Sequence, residues 1–69
     1  MSTFVNVILP LALPEFYTYS ITDDLIDTIV PGVRVIVQFG KQKVYTALVY
    51  SIHQNPPDGY EIKPVLSVV

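Results

Sequence analysis

The feature that most constrains this chain is a two-residue alternation that starts after Pro31-Gly32 and continues, with one break, to Ile52. Val33, Val35, Val37 and Phe39 share one face, while Arg34, Ile36 and Gln38 share the other. After the break, Val44, Thr46, Leu48, Tyr50 and Ile52 stand opposite Tyr45, Ala47, Val49 and Ser51. A helix would instead bring together residues three and four apart, so the pattern predicts two half-buried strands, Val33 to Phe39 and Lys43 to Ile52. The break, Phe39-Gly40-Lys41-Gln42, predicts a tight corner. Gly40 can take positive φ there, or let a ligand reach its backbone.

The remaining segments are also strand-like. Thr3 to Leu9 ends at Pro10, which lacks a donor and suits a strand end. In Phe16 to Ile21, Phe16, Thr18 and Ser20 face one way and Tyr17, Tyr19 and Ile21 the other. If Phe16 enters the core, Tyr17 and Tyr19 share the opposite face. Thr22 as an N-cap before Asp23 and Asp24 predicts at most one short helical turn near residues 22-28, because Ile29-Val30 and Pro31-Gly32 oppose its extension. Gln54 to Gly59 reads as a loop, and Tyr60 to Val69 as a last strand interrupted by Pro64. The expected fold is all-β. Five short strands fit a small barrel, since closure removes the edges of a flat sheet.

Length and charge limit the function. The 69 residues allow one domain, 1–69, with a small core. The chain has no Cys and one His, so it has neither a disulfide framework nor a thiolate metal site, as expected in a reducing compartment. The apolar runs are too short to span a membrane, and MSTFVN lacks a basic leader region, so a cytoplasmic protein starting at Met1 is expected. Val65 to Val69 stops inside an apolar run, which suggests a longer polypeptide. The net charge of −2 argues against a broad phosphate-backbone footprint. With Arg34, Lys41, Lys43 and Lys63 as its cations, any nucleic-acid contact must be local, such as one confined to a chain end.

No catalytic site is expected. A helix start accounts for Asp23 and Asp24, His53 has no orienting partner in the sequence, and no phosphate-binding glycine motif occurs. The candidate binding groups are the ring faces of Tyr17 and Tyr19, on which a base can stack, the Gly40-Lys41 corner, and Lys63 in an apolar segment. Each also has an ordinary structural explanation, Lys63 for instance by snorkelling along its stem to water.

The order of the pieces carries more information than any one of them. ILPLALPEFYTYSI, PGVRVIVQFGKQK, TALVYSI and EIKPVLSVV together resemble the N-terminal domain of the PriA family, the primosomal replication-restart helicases, over roughly Val5 to Val69. The resemblance implies an OB-like barrel that recognises the 3′ end of the nascent DNA strand at a stalled fork. The partners it implies are DNA with a free 3′ end, forked DNA and other primosome proteins. No cofactor is expected in this segment, ATP and zinc belonging to the rest of the helicase. By position, Tyr17, Thr18 and Tyr19 match the family's aromatic strand, Gly40 and Lys41 its corner, and Lys63 its late lysine. Thr18 departs from the family pattern, which has an acidic residue there; its hydroxyl both accepts and donates but carries no charge. The competing expectation is an SH3-like or OB-like barrel binding protein or RNA in a translation or transcription factor, with Tyr17, Tyr19 and Tyr50 lining a groove.

Overall fold

The structure is a computed structural model that describes residues 3–12, 16–56 and 62–69. Its strands are β1 (Thr3–Ile8), β2 (Tyr17–Ile21), β3 (Arg34–Phe39), β4 (Lys43–His53) and β5 (Ser67–Val68). They form one antiparallel sheet in the order β2-β1-β4-β3-β5. The start of the expected last strand, Tyr60-Glu61, and the Pro57 to Gly59 part of the expected loop lie outside the described residues. Within them the last strand shrinks to Ser67–Val68.

The C-terminal segment closes the sheet into a small barrel. Ser20 donates its N–H to the Lys63 carbonyl at 3.0 Å and accepts from the Val65 N–H at 2.9 Å, a parallel bridge centred on Pro64. In such a bridge the middle residue points its own backbone groups away from the partner strand, so the donor that Pro64 lacks is not needed. Leu66 then donates to Ile36, and Val69 to Arg34, which carries the chain across to β3.

Val5, Val7, Val35, Val37 and Val49 fill the interior, each fully buried. β-Branched side chains pack well on a pleated surface, and burying each contributes about 1.5–3 kcal/mol. Tyr19 and Ile21 join them, so Tyr17, Tyr19 and Ile21 form the inward set of β2, and Phe16 faces outward, 46% exposed. The alternative with Phe16 in the core is thereby corrected: only the Tyr face of β2 lines up with the buried positions of β1, Val5 opposite Tyr19 and Val7 opposite Tyr17.

Two turn segments follow from local chemistry. Val30-Pro31-Gly32-Val33 closes with a Val33 N–H to Val30 carbonyl bond of 3.2 Å, with Gly32 at φ +98°. Proline at the second position and a positive-φ glycine at the third make a type II turn. The 22–28 segment is a pair of consecutive turns rather than a helix, held by Leu25 N–H to Thr22 and Thr28 N–H to Leu25 bonds. Its Leu25 packs against the core, as does the buried Ile29 that follows.

β4 breaks the alternation. Asn6 pairs with Ser51 but Val7 pairs with Val49, which leaves Tyr50 as an extra residue facing no β1 partner. The bulge resets the phase: Ile52, expected on the Tyr50 face, lies opposite the core residue Val5, while Ser51 turns outward beside Asn6.

Candidate nucleic-acid interface

The β3–β4 corner is short and fixed. Phe39 pairs with Lys43, so Gly40, Lys41 and Gln42 form the loop, with Gly40 at φ +79°. A side chain at this φ is strained, which explains the glycine. Gln38 donates from Nε2 to the Lys41 carbonyl at 3.0 Å and thereby pins the corner. The buried Tyr19 reaches across from β2, its hydroxyl donating to the Gln38 carbonyl at 2.8 Å.

Lys63 meets this corner from the closing segment. Its backbone is held by Ser20, and its Nζ donates to the Gly40 carbonyl at 3.3 Å. An ammonium has three donors, so one carbonyl leaves it further capacity for an anion. Below the corner the aromatics are linked edge to face: Tyr17 to Phe39 at 5.0 Å between centroids and 78°, and Phe39 to Tyr45 at 6.3 Å and 67°. An open recess beside them is lined by Leu11, Phe39 and Tyr45 and rimmed by Gly40, Lys41 and Lys43.

The six residues singled out from the sequence therefore fall into two groups. Tyr17, Gly40, Lys41 and Lys63 are drawn together at one end of the barrel. Tyr19 is a core residue whose hydroxyl supports the corner from inside. The Thr18 side chain lies on the outer face, where its hydroxyl donates to Asn6 Oδ1 at 2.8 Å. Asn6 Nδ2 in turn donates to Ser51 Oγ at 3.2 Å. His53 completes the network: the Asn55 N–H donates to its Nδ1 at 3.2 Å, so the proton sits on Nε2, which donates to Asn6 Oδ1 at 3.0 Å. Phe4 stacks on the same imidazole with centroids 6.0 Å apart.

The backbone of Thr18 behaves differently from its side chain. In an antiparallel strand the N–H and C=O of a residue point to one side, and alternate residues point to alternate sides. Ser20 directs both groups away from β1, toward Lys63 and Val65. Thr18, two residues earlier, directs its own pair to that same side, ahead of the Ser20–Pro64 bridge at which the closing segment pairs with β2. The direction of the Thr18 main chain was not visible in the sequence, because it depends on the phase of the Ser20–Pro64 bridge.

Phe39, Lys43 and Tyr45 are further residues of the recess that side-chain type alone did not single out. Their signal was the alternation itself, which puts Val37 opposite Tyr45 and Phe39 opposite Lys43 on the inward face. Among the described residues no group of three or more His, Asp or Glu side chains is placed to hold a metal ion.

A small barrel with aromatic edges and three lysines around one open end has the make-up of a module that binds a single-stranded nucleic-acid end. The model of the PriA 3′ DNA-binding domain (3′BD) family matches residues 6–69, and the chain belongs to that family. No match was found among curated proteins or among solved structures. The chain is thus a domain that binds DNA at 3′ ends, and nothing favours the alternative protein- or RNA-binding barrel.

Proposed function

We propose that the recess at the β3–β4 corner holds the terminal nucleotide of a DNA strand with a free 3′ end. In this reading the domain serves a cytoplasmic replication-restart helicase, directing it to the nascent strand of a stalled fork. The observation that carries the site is the meeting of Lys63 Nζ with the Gly40 carbonyl beside Lys41 and the Tyr17–Phe39 ring pair. Lys63 and Lys41 neutralise the phosphate that precedes the last sugar. The aromatic edges pack against the terminal base or sugar. The Thr18 main chain offers a donor and an acceptor to the base edge, so Thr18 contributes without the carboxylate usual at its position. An interior nucleotide carries a 3′-phosphate and another sugar, which in this reading the occupied recess does not admit.

A net charge of −2 is compatible with this role, since one terminal phosphate needs only one or two cations. ATP hydrolysis and zinc binding belong to the remainder of such a helicase, and other primosome proteins are further partners in this reading. The test is binding to a synthetic fork with or without a nascent leading strand ending at the junction. We expect at least tenfold tighter binding, about 1.4 kcal/mol, when the 3′ end is present. Equal affinity for the two forks would sink the proposal.

A further inference from the structure

A second aromatic feature lies on the outer face, apart from the terminal recess. The rings of Phe16 and Tyr50 stack with centroids 4.3 Å apart and planes 19° from parallel. Both remain open to solvent, Phe16 at 46% and Tyr50 at 56%. Tyr50 is the bulge residue of β4, turned outward with no β1 partner. Phe16 immediately precedes Tyr17, whose inward ring packs edge to face on Phe39 of the recess, so neighbouring residues carry the chain from the recess side to the outer platform. Next to the rings, Ile8 pairs with Leu48, and Leu48 with Arg34, all three exposed. The described carboxylates, Asp23, Asp24 and Asp27, lie in the segment that follows the far end of β2.

The geometry points to a stacking platform for single-stranded DNA, on which Phe16 and Tyr50 receive bases 5′ of the terminal nucleotide and Arg34 receives a phosphate between them. Exposed aromatics on a small barrel bind bases through their π-faces with little sequence preference, and a nearby cation adds the backbone contact. The occupant is DNA because the strand that enters the recess at Tyr17 passes Phe16 next. The direction of the path rests on the proposed terminal pocket, whereas the platform itself rests on the ring pair.

The test is fluorescence anisotropy with oligothymidylates carrying free 3′ hydroxyls, a dinucleotide against an octanucleotide, for the parent chain and three variants. The parent should bind the longer strand at least tenfold tighter. Tyr50→Ala should lose about tenfold of that gain, Tyr50→Phe should retain it, and Arg34→Gln should lose part of it together with some salt dependence. Tyr50 is exposed, so its variants should melt close to the parent, which separates lost binding from lost folding. An undiminished length gain in Tyr50→Ala, or failure of Tyr50→Phe to retain it, would overturn the platform; the first result would point to a protein partner for this face. If Tyr50→Ala loses the gain while free and blocked 3′ ends bind alike, the platform stands and the terminal pocket falls.

Discussion

Lys63 Nζ lies 3.3 Å from the Gly40 carbonyl oxygen, and that contact joins two segments 23 residues apart in the chain. The β3–β4 corner supplies the carbonyl. The closing segment supplies the ammonium, positioned by the bonds between Ser20 and the backbone of Lys63 and Val65. Barrel closure and the completion of the candidate site are therefore one event, and the Lys63 ammonium arrives at the corner only when the C-terminal segment pairs with β2.

Lys63→Ala removes an exposed hydrogen bond and a charge from a half-buried side chain. It should weaken binding to a 3′-ended single strand about tenfold, in line with about 1.5 kcal/mol for a charge-assisted contact, and shift the melting temperature by only a few degrees. Lys41→Ala should act in the same direction. Anisotropy titration beside a thermal melt checks both, and loss of cooperative melting in either variant would assign that lysine to the fold.

The two positive-φ glycines form a matched pair. A Cβ at Gly32 or at Gly40 meets no atom within 4 Å, so alanine at either position costs only backbone strain, about 1–2 kcal/mol. Both variants should lower the melting temperature by similar amounts. Gly40→Ala alone should also weaken DNA binding, because only Gly40 borders the recess; equal affinities for the two variants would contradict that role.

Thr18→Val removes the donor to Asn6 Oδ1 and leaves the backbone of β2 intact. It should reduce stability by about 0.5–1.5 kcal/mol, seen in a denaturant melt, with affinity for the 3′ end unchanged. A large loss of affinity at unchanged stability would mean that the Thr18 hydroxyl itself contacts DNA.

Salt should matter only modestly. With Lys41 and Lys63 on the single phosphate that precedes the last sugar, the slope of log affinity against log salt for a short strand should lie near −1, at about −0.7 per phosphate neutralised. Titrations across a range of salt concentrations measure it, and a slope several times steeper would require a broad basic footprint that the four cationic side chains do not supply.

Much of this barrel was legible in the sequence. Alternation located β3 and β4, and Pro31-Gly32 marked the type II turn before β3. The pair Tyr17 and Tyr19 was assigned to one face, but which face met the core could not be read, because Phe16 and the tyrosines are similarly apolar. Only the register against Val5 and Val7 decides it. The bulge at Tyr50 was hidden, since Tyr50, Ser51 and Ile52 continue the alternation without a glycine or proline to mark an extra residue. Thr18 shows the limit most clearly: motif position brought it to notice, yet its side chain hydrogen-bonds to Asn6 and only its main chain faces the seam.

Recognition of a 3′ terminus by this recess is decided by anisotropy with two short single strands identical except at the last sugar, one ending in a hydroxyl and the other in a 3′-phosphate. The geometry predicts that the blocked strand binds at least tenfold more weakly, and that Lys63→Ala narrows the difference. Equal affinity of the parent chain for both strands would contradict end recognition at the Gly40–Lys63 corner.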